Sequence, residues 1–376
     1  MLDIVNELVQ SSGILSMTYK ELIMIIISLI FLYLAVRKGY EPYLLIPIAF
    51  GILLVNLPLS GLMDEPANGE SGGLLYYLYQ GIDLGIYPPL IFLCLGASTD
   101  FGPLLANPKT LLLGGAAQFG IFSAFFLAIV VGMSPEEAAS IGIIGGADGP
   151  TAIYVTSQLA DHILPAIALA AYSYMALVPI IQPPLMNLLT TEKERKVKME
   201  QLRTVSKKEK ILFPIITTLF VSLLIPSATT LVGMLMLGNI IRESGQVPKL
   251  SETLQNSFMY IVTIILGVSV GAKATGETFL TWSTIVITIL GLIAFAVGTV
   301  SGVLIGKIMY KMTNGQINPL IGAAGVSAVP MAARVVQKEG IKNNPNNYLL
   351  MHAMSPNVAG VIGSAVTAGV LLSFFG

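Results

Sequence analysis

The stretch IGIIGGADGPTAIYVTSQLA, residues 141–160, sets one aspartate, Asp148, among apolar residues and surrounds it with Gly145, Gly146, Gly149 and Pro150. Glycine permits backbone angles closed to other residues, and proline lacks an N–H and frees a carbonyl one turn back, so the segment should be unwound here. Unwound backbone at membrane depth is tolerated only where it is buried in protein or lines a cavity. Its carbonyl oxygens, the Asp148 carboxylate and the Thr151 hydroxyl would suit Na+, because a hard cation prefers oxygen ligands. A desolvated carboxyl group can also alternate between H+ and Na+, as exchange across a membrane requires. The plainer alternative is a protonated structural acid.

Two further stretches have the same character. INPLIGAAGVSAVPMAARV, residues 317–335, offers neutral oxygens from Asn318 and Ser327 and flexible backbone at Gly322 and Gly325. Arg334 follows Ser327 by two helical turns and shares its face; it would attract an anionic substrate, repel a bound cation, or snorkel to the surface. SPNVAGVIGS, residues 355–364, reads as a third break, with Pro356 before Asn357 and Gly360 after it. Tyr174 could supply a phenolic oxygen or serve as an interfacial anchor.

These residues need a membrane to position them. The chain has 376 residues, 54% hydrophobic and 11% charged, against roughly 25% charged in soluble domains, which indicates an all-α polytopic membrane protein. A net charge of -1 gives no bias toward nucleic acid. One cysteine, Cys94, and two separated histidines, His162 and His352, leave no disulfide framework and no zinc or haem site. At the N-terminus, Asp3 and Glu7 stand where a secretory signal would be basic, so the first apolar run is expected to be a retained helix.

At about 20 apolar residues per crossing, twelve segments qualify: 22–36, 43–63, 73–98, 104–132, 137–160, 163–188, 211–224, 228–241, 254–272, 281–305, 317–336 and 349–374. The linker TTEKERKVKMEQLRTVSKKEK, residues 190–210, carries eight Lys and Arg and is cytoplasmic by the positive-inside rule. The expected organisation is N-terminal helices at 1–72, a first repeat at 73–189, the linker at 190–210, and a second repeat at 211–376. LGAS at 95–98 and LGVS at 266–269 each lead to a glycine-rich stretch, and GIIGGADGPTA and GAAGVSAVPMA share G-x-x-G-x-x-x-x-P-x-A.

Arg37, Lys38 and Lys109 fall inside, and Asp64, Glu65, Glu70 and the SPEE loop outside; Lys307 and Lys311 return inside. The two glycine-rich motifs then enter from opposite faces, which is an inverted-topology repeat with discontinuous helices. Between 137 and 188 two apolar segments must make an odd number of crossings, which closes if 137–160 turns back at GGADGP. Asp148 lies 11 residues past Glu137, roughly 16 Å along a helix and near the middle of a core about 30 Å thick. An acid there usually marks an ion path. No P-loop and no dinucleotide fingerprint is present, so energy would come from a gradient or from a partner's reaction.

GGADGPTAI, GVSAVPMAARV and LLMHAMSPNVAGVIGSAV together resemble the β subunit of the biotin-dependent, sodium-translocating decarboxylases that act on oxaloacetate, methylmalonyl-CoA or glutaconyl-CoA. The likeness runs from LIFLYLAVRKGYEPYLLIPIAFG to the C-terminus. It implies a multi-pass protein of the bacterial inner membrane that decarboxylates carboxybiotin while exporting Na+ and consuming a proton. It further implies a carboxyltransferase subunit, a biotin carrier subunit and a small single-helix membrane subunit as partners, with self-association left open. Biotin would sit on the carrier, since VKME around Lys198 lacks the Met-Lys-Met arrangement.

By the same resemblance, Asp148 would be the central Na+ ligand and proton-exchanging group. Asn318, Ser327 and Tyr174 would supply ion or proton relay contacts, and Gly322 and Asn357 would shape the sites. Arg334, with Asn357 beside the cofactor, would serve the coupled decarboxylation. The chain is shorter than the longest members after Asp64, which leans toward the acyl-CoA branches. A Na+-coupled solute carrier and a passive anchor docking an enzyme through the basic linker are the alternatives.

Overall fold

A computed structural model describes residues 12–376 apart from Asn68 and Glu70; Asp3, Glu7 and Glu70 therefore lie outside the described residues. The first half comprises α1 (Tyr19–Lys38), α2 (Pro42–Val55), α3 (Leu74–Asp83), α4 (Tyr87–Ser98), α5 (Leu111–Ala117), α6 (Phe119–Val131), α7 (Pro135–Gly142), α8 (Gly149–Leu159) and α9 (Leu164–Leu189). The second comprises α10 (Lys207–Leu224), α11 (Thr229–Ser244), α12 (Met259–Ala272), α13 (Trp282–Met312), α14 (Met331–Asn343) and α15 (Leu350–Phe375). Several starts are written locally: Thr18 with Glu21, Ser134 with Glu137, and Ser206 with Glu209 each close a capping box that satisfies otherwise unpaired amides.

Among the described residues five helical stretches are long and apolar enough to cross a membrane, and up to seven if each of two bent pairs is one span. The protein is a multi-pass membrane protein. The expected 73–98 segment is one of the bent pairs, α3 and α4 meeting at 67°. The expected 43–63 segment is helical only to Val55.

The third expected break, 355–364, is overturned: α15 runs unbroken for 26 residues with Pro356 inside it. Pro356 lies in the second turn, where its missing N–H removes one bond near the helix end, and the following turns continue the ladder.

Contacts between the halves come in matched pairs. α2 packs along α12 as α11 packs along α4; α9 packs on α13 as α15 packs on α5; α9 meets α14 as α15 meets α8. The matching extends to single residues. A Cβ on Gly51 would lie 2.4 Å from the Val268 carbonyl and one on Gly271 2.2 Å from that of Ile48, while Gly96 meets Leu235 O and Gly238 meets Leu93 O at 1.8 and 2.0 Å. Small residues let membrane helices approach to backbone contact, where dispersion supplies the attraction that water cannot. Buried amides finish the same crossings, Asn56 donating to the Ala274 carbonyl and Asn239 to that of Thr99.

This reciprocity is what an internal two-fold relation produces. It also interleaves the halves: α2, α4, α11 and α12 form one group, and α5 to α9 with α13 to α15 form another.

Candidate ion-binding site

The first break forms because α7 cannot continue through two glycines. After α7 the chain tightens into a 3-10 turn, Ile143–Gly146, then Ala147 takes the left-handed conformation at φ 55 and Asp148 is extended. A non-glycine residue at positive φ costs of order 1–3 kcal/mol and persists only where its surroundings impose it. Asp148 then caps α8, its carboxylate accepting from the Thr151 amide at 3.3 Å. The arms α7 and α8 pack against each other.

The second break is built differently. A 3-10 helix, Pro319–Gly325, ends in extended backbone from Val326, and α14 begins after Pro330. The two breaks meet: the Ser327 amide donates to the Gly146 carbonyl at 2.8 Å.

From this junction a chain of hydroxyls leads to the acid. Ser327 Oγ donates to Ser364 Oγ at 3.2 Å, and Ser364 Oγ donates to Asp148 Oδ2 at 2.7 Å. Asp148 is 4% exposed. No lysine, arginine or histidine pairs with it among the described residues. A buried carboxylate without a counter-ion is costly, and a cation or a proton removes that cost.

The acid lies at the closed end of a cavity of about 250 Å³ that Gly149, Tyr172, Ser327 and Val361 also line. At about 30 Å³ per water, the space holds a small cation with part of its hydration shell. Several buried oxygens nearby lack partners: the hydroxyls of Thr151 and Tyr172 and the Asn357 side-chain carbonyl. Asn357 is oriented by its own amide, which donates to Ala324 O at 3.1 Å and Val326 O at 2.7 Å. At Asp148 itself the potential ligands are one carboxylate and neighbouring neutral oxygens, as suits a hard cation.

Of the residues chosen from sequence, Asp148, Thr151 and Ser327 come together here, and Asn357 grips the second break beside them. The others lie apart. The Tyr174 hydroxyl donates to the Thr288 carbonyl of α13. Asn318 donates to the Arg195 and Val197 carbonyls at 3.0 and 2.9 Å, fastening the linker to the second break. Gly322 is a close crossing, since a Cβ there would lie 2.0 Å from Gly302 O. Arg334 is exposed on the first turn of α14, its guanidinium without a hydrogen bond or ion pair among the described residues.

Three residues escaped the sequence reading. Ser364 lies at the end of SPNVAGVIGS, inside α15. Tyr172, 2% exposed, lies against Gly149 so closely that a Cβ there would be 2.1 Å from its ring. Glu41 lines the same cavity from the start of α2.

Two broken helices crossing at a buried carboxylate inside an interleaved bundle define a membrane protein of the discontinuous-helix ion-transporting class. The chain belongs to the family described as "Na+-transporting oxaloacetate decarboxylase beta subunit", matched over residues 20–375. It is 60% identical over 395 residues to the methylmalonyl-CoA decarboxylase subunit beta of Propionigenium modestum, covering 100% of both chains. It is 56% identical over 371 residues to the glutaconyl-CoA decarboxylase subunit beta of Acidaminococcus fermentans, covering 99% of this chain and 97% of the relative. To the oxaloacetate decarboxylase beta chain of Klebsiella pneumoniae the identity is 50% over 425 residues, with 98% of each covered. The chain is thus a decarboxylase translocase subunit of a Na+-transporting family whose members are parts of larger complexes.

Proposed function

We propose that this chain receives carboxybiotin from a partner biotin carrier, promotes its decarboxylation and exports Na+ in exchange for the proton that the reaction consumes. The C–N bond of carboxybiotin breaks, CO2 leaves, and the ureido nitrogen takes a proton. A proton released from Asp148 as Na+ binds is the one consumed, so chemistry and ion movement are tied. The single observation that carries the reading is Asp148 itself, buried without a basic partner where both helix breaks meet.

In this reading Asp148, Thr151, Ser327 and Asn357 supply the oxygens for the transported ion, joined by Ser364. Arg334, charged and unpaired beside the second break, recognises the carboxylate of carboxybiotin. Tyr174, Gly322 and Asn318 hold the supporting helices and linker in register. The division at 1–72, 73–189, 190–210 and 211–376 describes two inverted units; because these interleave, movement that exposes the site alternately runs between the two mixed helix groups. The partners are a carboxyltransferase, the biotin carrier and a small single-helix subunit. The shorter alignments to the acyl-CoA relatives, 395 and 371 residues against 425, favour an acyl-CoA as the complex's substrate.

The test is radioactive sodium uptake into inverted vesicles holding the whole complex, beside the rate of decarboxylation, for the wild type and Asp148→Asn. Loss of both in the variant is expected. Sodium uptake at the wild-type rate in the variant overturns the reading.

A further inference from the structure

The cavity that ends at Asp148 holds a second acid. Glu41 lines it from the N-terminal end of α2, on the helix group opposite to the one that carries Asp148. Its backbone is left-handed, φ 37, and its side chain makes no capping bond to α2. Among the described residues its carboxylate has no ion pair. Its carbonyl accepts from the Leu44 and Leu45 amides at 3.1 and 2.9 Å, so the backbone opens α2 while the side chain stays uncommitted to the helix.

Tyr172 lines the same cavity as both acids. Its hydroxyl is buried, lines the cavity and has no partner. This unpartnered oxygen is a separate indication that something polar occupies the space, because buried polar groups are normally satisfied.

The two ends of the cavity differ. Asp148 is 4% exposed, whereas Tyr43 and Tyr260, which stack at 5.2 Å and also line the cavity, are 64% and 40% exposed. Glu41, half-buried and two residues from Tyr43, belongs to the open end. That end is cytoplasmic by the charge of its approach, since exposed Arg37 and Lys38 immediately precede it. A pump that exports a cation must take it up from this side.

We propose that Glu41 is a second acidic ligand for the transported cation, a loading group at the cytoplasmic mouth that Na+ meets before it reaches Asp148. The proposal rests on the reading of Asp148 as the ion site. A negative charge at the mouth raises the local cation concentration and shortens the desolvated path. Because the acids sit on different helix groups, relative movement of the groups separates them and releases the ion from Glu41 toward the far side.

The experiment uses the whole complex in vesicles and measures the half-saturating Na+ concentration for decarboxylation and sodium uptake. Glu41→Gln is expected to raise it about tenfold, and Glu41→Asp to recover most of that loss. Glu41→Cys provides a second route, because Cys94 is buried: a negatively charged methanethiosulfonate should lower the half-saturating concentration and a positively charged one raise it. An unchanged concentration in Glu41→Gln, or equal effects of the two reagents, overturns the proposal. Asp148→Asn, run in parallel, separates the cases. If it abolishes coupled uptake while the Glu41 variants behave as wild type, only the loading role falls; if it leaves uptake intact, the ion site itself falls.

Discussion

Ser364 donates its hydroxyl to Asp148 Oδ2 at 2.7 Å from the middle of an uninterrupted helix, while Ser327 on the second break donates to Ser364. The acid on one broken helix is thereby held through a regular helix to the other break, and all three elements are fixed to one another. In the proposed function, a cation bound at Asp148 would act on the second break through these hydroxyls alone.

Replacement of Ser364 by alanine tests this link. A hydrogen bond to a charged group contributes roughly 1.5–3 kcal/mol, so the half-saturating Na+ concentration of decarboxylation should rise about tenfold or more. A wild-type Na+ dependence in Ser364→Ala would remove Ser364 from the ion site.

Gly149 and Tyr172 make a steric prediction. Alanine at Gly149 would place its Cβ 2.1 Å from the Tyr172 ring, and overpacking of this kind typically costs 1–3 kcal/mol. Gly149→Ala should lower the thermal stability of the purified complex and its Na+-dependent turnover. Tyr172→Ala alone should also be destabilised by the cavity it leaves, but the double variant should lose less stability than the two single losses combined, because the methyl then meets open space. Strictly additive losses would mean that the clash is not with Tyr172.

What was legible in the sequence follows from what is local. Glycine and proline around Asp148 announce an unwound segment because their backbone preferences act within a few residues, and the structure unwinds there. The same logic misled at Pro356, where proline near the start of a long helix costs one bond and the helix continues.

Ser364 could not be found this way, since a serine inside a helix has no local mark and acquires its partner only when α15 meets the break. Tyr172 and Tyr174 look alike in AAYSYMA, yet packing turns one toward the cavity and the other toward the Thr288 carbonyl. Glu41, next to Arg37 and Lys38, reads as an ordinary surface acid until α2 is set against α12 and α9. Likewise the two halves are visible as a repeat, but their interleaving depends on contacts between segments far apart in the chain.

The linker offers a prediction about pH. Glu194 is buried, and burial by itself raises a carboxyl group's pKa, but hydrogen bonds from the Thr191 amide and hydroxyl and the charge of Lys307 outweigh it and hold Glu194 below the ordinary 4.5. Its carboxylate lies 3.6 Å from Lys307 Nζ, which also donates to the Leu189 carbonyl at 2.6 Å, so the linker is tied to α13. A group whose folded pKa is depressed contributes stability above its unfolded pKa, and loses that contribution as pH falls from there toward the folded value. Glu194→Gln, which can still close the capping box, should therefore lower stability at pH 7 by about 1 kcal/mol, the part of these hydrogen bonds and of the Lys307 pairing that depends on charge. Its unfolding temperature should approach that of the wild type as the pH is taken below about 4.5. An equal gap at pH 7 and pH 4 would mean that Glu194 acts through packing and not through its charge.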